Sequence, residues 1–238
     1  MTRARSSSLG GYTGRGDLGS SLVLIFPVLL AYEIGVLFAG RVNGADLVTR
    51  AAYAAAGSRT AYLVLYAAIA VGFLIWIRQT RRWGTLRLSL AGPVLLEAAV
   101  YALTLGALVS LVVDRVFGRM FGQLLAPHIG LGLTAPSIVS ALGAGVHEEL
   151  VFRLALIAGL VYVARPLGSR LAVAAAIAIS SLLFAAAHHL GVHGEPFTPH
   201  AFAFRAVAGV AFGAIFWFRS LAHAVYAHVL YDLLVALG

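Results

Sequence analysis

The chain is predicted to be an all-α protein, a polytopic transmembrane helical bundle of seven or eight membrane helices. It is 61% hydrophobic and 11% charged with a mean hydropathy of +0.94, whereas a soluble domain carries about 25% charged residues to solvate its surface. Several apolar runs reach about 20 residues, the helical length that crosses a hydrocarbon core about 30 Å thick. Most of the 17 basic residues, all arginine, lie scattered at the ends of those runs, as the positive flanks of membrane spans do. A net charge of +8 could suit a nucleic-acid binder, but scattered arginines make no binding patch, so the expected surroundings are a lipid bilayer and no nucleic acid.

Residues 1–19 are rich in Ser, Gly and Arg and are read as a disordered or interfacial N-terminus; residues 20–238 are read as one transmembrane domain. The first span is Ser20 to Ala39. It is long, holds Pro27 and Glu33, and lacks a small-x-small site before Arg41, so it is expected to be retained and not cleaved as a signal peptide. Further spans follow at Thr60 to Ile77, Ser89 to Val113, Pro136 to Val163, Leu171 to His189, Ala201 to Phe218 and Leu221 to Leu237. Ala45 to Ala56 has the pattern of an amphipathic interfacial helix, and Val116 to Leu125 that of another or of a re-entrant piece. No internal repeat is visible, which argues against a repeat-built carrier.

Loop arginines set the orientation. Ten fall in the N-terminus, the 78–88 and 164–170 loops and Arg219, against six on the other side, so the N-terminus is expected in the cytoplasm. An arginine-only basic set in an Ala- and Gly-rich chain suggests a GC-rich bacterial genome, hence a bacterial cytoplasmic (inner) membrane. With no cysteine there is no disulfide framework or thiolate metal site, and any metal would need His and carboxylate ligands.

Ionisable side chains inside a bilayer cost about 2.5–3.5 kcal/mol each on insertion scales, so their placement is informative. They concentrate in three spans: His147, Glu148, Glu149 and Arg153 in the fourth, His188 and His189 at the end of the fifth, and His223, His228 and Asp232 in the last. On an α-helix Glu149 and Arg153, four apart, share a face and can form an ion pair. Glu148 is turned about 140° from Arg153, free for a partner on another helix. The small residues Ala141, Gly143, Ala144 and Gly145 allow a neighbour to approach closely. His228 and Asp232 are again four apart, so the carboxylate can fix the imidazole tautomer; Phe184 and His188 share a face in the same way. Arg205, Gly209 and Gly213 form a packing stripe with a snorkelling arginine. The remaining histidines are expected in interfacial or structural roles, and Glu33 and Glu97 in helix–helix hydrogen bonds.

Three motifs stand in order in this region: Glu148-Glu149-Leu-Val-Phe-Arg153, Phe184-Ala-Ala-Ala-His188 and His228-Val-Leu-Tyr-Asp232. They resemble the EExxxR, FxxxH and Hxxx(N/D) motifs of the CPBP intramembrane proteases, the CAAX protease and bacteriocin-processing family also called Abi. The resemblance places a catalytic region at about 136–238 and implies a bundle of about eight helices around a cavity where peptide bonds near a membrane are hydrolysed. By motif position, Glu148 and His188 resemble the pair that activates water. His228 and Asp232 resemble the pair that stabilises the tetrahedral intermediate or binds a metal. Glu149 and Arg153 look like the supporting ion pair, with Phe184 beside them.

An ionised Asp232 cannot donate to an oxyanion as an Asn at that position would, so Asp232 is expected to orient His228 or to ligate a metal. The resemblance leaves the cofactor open: metal-free chemistry is preferred, and zinc is possible with Glu148, His188, His228 and Asp232 as ligands. The expected function is an intramembrane endopeptidase acting near the membrane-associated C-terminal end of a protein or peptide substrate: a CAAX-like tail, a leader or a surface-sorting anchor. The alternatives are a non-proteolytic immunity or scaffold protein and a proton-coupled carrier.

Overall fold

The computed structural model describes residues 18–39, 47–79, 88–121, 133–190 and 194–237, and every regular element among them is helical. In chain order these are α1 (Leu18–Ala39), α2 (Leu47–Ala56), α3 (Arg59–Gln79), α4 (Leu88–Phe121), α5 (Ala135–Gly143), a π-helix (Ala144–Ile157), α6 (Ala158–Val163), a short 3-10 turn (Arg165–Leu167), α7 (Ser169–Ala187), α8 (Pro199–Phe218) and α9 (Leu221–Leu237). Among the described residues five helices, within α1, α3, α4, α7 and α8, are long and apolar enough to cross a membrane, and α9 is a shorter apolar helix. The protein is an integral membrane helical bundle, as the composition predicts.

Local chemistry sets the boundaries. Thr134 caps α5, its side chain accepting from the Ser137 N–H while the Ser137 side chain accepts from the Thr134 N–H, with a proline just inside the helix start. Thr198 caps α8 in front of Pro199. Gly168 turns the chain from α6 toward α7 at φ +89°, a conformation an L side chain rarely adopts. With 34 residues, α4 is about 51 Å long at 1.5 Å per residue, well beyond an apolar core of about 30 Å. The segment Val116–Phe121, expected as a separate piece, continues α4; residues 122–125, and residues 1–17 of the expected disordered terminus, lie outside the described residues.

At the centre lies α9. From Leu221 to Val229 every residue except Tyr226 is buried, a pattern that only a helix packed on all sides can carry. One apolar core joins Val225 and Val229 of α9 to Ile25 and Val28 of α1, Val94 of α4 and Val146 of the π-helix. A second joins Ala227 to Val109 and Val113 of α4 and to Phe212 of α8. By contrast α3 is peripheral, with 6% of its span buried.

The fourth predicted span departs from expectation. It runs without a break from Ala135 to Val163, but its middle is π-helical and not α-helical. In a π-helix each amide bonds five residues back, a geometry that appears mostly as single-turn bulges at functional sites; here it extends over 14 residues. Packing supports it: Ala144 to Glu149 are all buried, and the Ser180 hydroxyl of α7 donates to the Phe152 carbonyl at 2.7 Å.

Candidate active site

Close approach of α9 to the π-helix begins at Gly145. A Cβ there would lie 2.3 Å from Val229 Cγ2 and 3.0 Å from its backbone nitrogen, so only glycine lets the two backbones meet. His228, one residue before Val229, is thereby carried onto the turn that bears the paired glutamates.

Three consecutive buried residues on that turn reach different neighbours. His147 meets α1, with Nε2 3.9 Å from Glu33 and its ring 4.9 Å from that of Tyr32. Glu148 lies between α7 and α9, its Oε2 3.6 Å from His188 Nε2 and 3.8 Å from His228 Nε2. Glu149 takes the His228 Nδ1 hydrogen bond at 2.8 Å and faces Arg153 Nε at 3.1 Å. The i, i+4 ion pair expected from the sequence is therefore present, within a π-helix. His228, paired with Asp232 by sequence spacing, meets a carboxylate on each side: Nδ1 bonds to Glu149, and Asp232 lies on the other side of the ring, 3.7 Å from Nε2.

Hydrogen bonds aim both imidazoles at Glu148. His188 Nδ1 lies 2.8 Å from the Phe184 carbonyl, and His228 Nδ1 faces a carboxylate. A carbonyl and a carboxylate can only accept, so Nδ1 is protonated in each ring, and each Nε2 points to Glu148. Glu148 Oε2 is buried with no hydrogen-bond partner of its own. Its distances to the two Nε2 atoms exceed a direct hydrogen bond and suit groups bridged by a small third partner.

An aromatic frame surrounds these groups. Arg153 is fully buried and none of its side-chain nitrogens has a hydrogen-bond partner among the described residues. Its guanidinium lies 4.4 Å from the Phe184 ring, with Phe212 and Phe152 at 5.7 and 5.9 Å. Cation–π attraction of this kind strengthens when the cation is desolvated. Phe184 also meets the His188 ring edge-on at 4.6 Å. All seven residues singled out by the motifs, Glu148, Glu149, Arg153, Phe184, His188, His228 and Asp232, thus come together.

Access is graded. The side chains of Glu148 and His228 are 5% exposed, that of His188 19% and that of Asp232 31%. The site is therefore deep and opens where α5 and α8 begin and α7 and α9 end. Beside it, Arg205 forms an ion pair with Glu195, whose N–H donates to the His188 carbonyl at 2.8 Å.

Other expectations fall outside the site. Glu33 accepts from Tyr62 of α3, joining two helices as anticipated. Glu97 of α4 holds Arg219 and Tyr101 and lies 3.5 Å from His223, a polar network at the opposite end of α9. His128 and His193 lie outside the described residues. Two features escaped the sequence reading: the bond of Glu149 to His228, which joins residues 79 apart, and Phe212, which lies flat on the His228 ring.

Among the described residues, no group of three or more His, Asp or Glu side chains is arranged to hold a metal ion. Residues 130–234 match the model of the Rce1-like family, described as type II CAAX prenyl endopeptidase Rce1-like. No curated protein and no solved structure matches the chain.

Proposed function

We propose, on the match of residues 130–234 to the Rce1-like family model, that this protein is an intramembrane endopeptidase of the CPBP type that hydrolyses a peptide bond near the membrane-associated C-terminal end of a protein substrate, with Glu148 as general base and acid. The carrying observation is the buried, unpartnered Oε2 of Glu148 facing the Nε2 atoms of His188 and His228. A water between them would donate one hydrogen to the carboxylate and the other to His188 Nε2.

Glu148 accepts the first proton as the water oxygen bonds to the carbonyl carbon, and the carbonyl π pair moves onto oxygen. His228, donating through Nδ1 to Glu149 and doubly protonated, offers its Nε2–H to that oxyanion. Glu148 then returns its proton to the departing nitrogen as the C–N bond breaks, leaving a carboxylic acid and an amine. Asp232 supplies an acceptor on the Nε2 side, so each ring nitrogen of His228 has one between turnovers. No metal is used in this scheme.

The graded access suits a substrate entering from the end that holds His188 and Asp232. With the arginine-derived orientation that end is extracytoplasmic, the N-terminus is cytoplasmic and the membrane is a bacterial inner membrane. A leader peptide or surface-sorting anchor is therefore the favoured substrate over a prenylated tail. The test is incubation of proteoliposomes with membrane-anchored peptides carrying such C-terminal segments, in water enriched in heavy oxygen, with products read by mass spectrometry. The expected product has one heavy oxygen in a new carboxylate. Intact peptides with every class of anchor would reject the proposal.

A further inference from the structure

His228 is held at one edge by Glu149, but a single hydrogen bond leaves the ring plane free to rock about the bond and the broad χ2 torsion free to turn. The plane is fixed from α8. Phe212 lies face to face with the imidazole, centroids 4.5 Å apart and planes 16° apart, and is itself 2% exposed. Its ring is also 5.7 Å from the Arg153 guanidinium, so one aromatic side chain lies beside both partners of Glu149.

The backbone of α8 is brought in to make this contact. A Cβ at Gly209 would lie 3.0 Å from Ser181 Cα, and one at Gly213 3.1 Å from Ile177 Cγ2. These glycines seat α8 close against α7, and Phe212, on the intervening turn, projects to α9. An ordinary core phenylalanine could be replaced by any apolar side chain of similar volume. Planar stacking needs a ring.

We propose that Phe212 is a positioning residue for hydrolysis: its stacked ring fixes the plane of His228 so that Nε2 is aimed at the carbonyl oxygen of the substrate. The inference rests on the proposed function. By fixing the plane it acts on the rate of the chemical step and not on substrate binding.

The experiment compares Phe212→Leu and Phe212→Met, which fill the volume without a ring, with Phe212→Tyr, which keeps the ring. In the folded ring-less variants kcat should fall about tenfold, as for a slightly misplaced catalytic group, with KM unchanged; Phe212→Tyr should stay near wild type. Ring-nitrogen NMR of histidine-labelled protein provides a readout that needs no substrate: the protected Nδ1–H signal of His228 should broaden in the Leu and Met variants and persist in Tyr. Wild-type kcat in either ring-less variant, an unchanged His228 signal, or an equal loss in the Tyr variant overturns the proposal. If the wild-type protein cleaves nothing, the endopeptidase reading fails, and the NMR comparison still decides whether Phe212 positions the ring.

Discussion

One carboxylate oxygen of Glu149 lies 2.8 Å from His228 Nδ1 and the other 3.1 Å from Arg153 Nε, so a single buried side chain joins the ion pair of the π-helix to α9. Glu149→Gln keeps an oxygen for the imidazole but leaves the buried guanidinium without a counter-charge, a defect that costs about 3–5 kcal/mol. Folded yield and melting temperature should fall, and turnover of the folded fraction should fall about tenfold or more. Adding Arg153→Met should restore stability without restoring turnover. A double variant no more stable than the single would show that the two charges are not an energetic unit.

Asp232→Asn separates orientation from metal ligation. An amide can accept from His228 Nε2 and can also donate to an oxyanion, so reduced but measurable turnover is expected. Metal analysis of the wild type should find no stoichiometric zinc, and a chelator should leave activity intact. One zinc per chain, lost in the Asn variant, would replace the metal-free scheme.

Tyr62 is fully buried in a helix whose described residues are otherwise mostly exposed, and it donates to Glu33 of α1. Tyr62→Phe removes that donor beside a buried carboxylate, at a cost of about 1–3 kcal/mol. Hydrogen exchange should rise in α3 while α7 to α9 stay protected, and turnover should remain within a few-fold of wild type. Unchanged exchange in α3 would show that the helix is tethered by other contacts.

Much of this was legible in the sequence because apolar run length and motif spacing are local quantities. The seven predicted spans correspond to α1, α3, α4, the Ala135 to Val163 segment, α7, α8 and α9, and Ala45 to Ala56 overlaps α2. The motifs named the charged residues of the site since each lies within one turn or so of its mate. What was not legible arises between helices. Side-chain spacing implied an α-helix at Glu148 and Glu149, whereas burial on every side accompanies a π-helix. Nothing local ties Glu149 to His228, and Phe212 in an apolar span looks like any core aromatic.

Orientation is tested by single cysteines in this cysteine-free chain. Leu190→Cys and Ser169→Cys stand at exposed positions near opposite ends of α7. An impermeant thiol reagent should label Leu190→Cys from outside and Ser169→Cys only after the membrane is opened. The reverse pattern would put the mouth of the site in the cytoplasm and favour a cytosolic C-terminal tail as substrate.

In the proposed mechanism Glu148 is the group that moves the proton. Glu148→Gln nearly preserves size and can still hydrogen-bond, but it cannot accept a proton from water. Single-turnover cleavage of a membrane-anchored peptide by purified Glu148→Gln, matched to wild type in melting temperature, is the direct measurement. A loss of about 10²–10⁴-fold in the chemical step is expected from removing a general base; cleavage at the wild-type rate by the folded variant would contradict the mechanism.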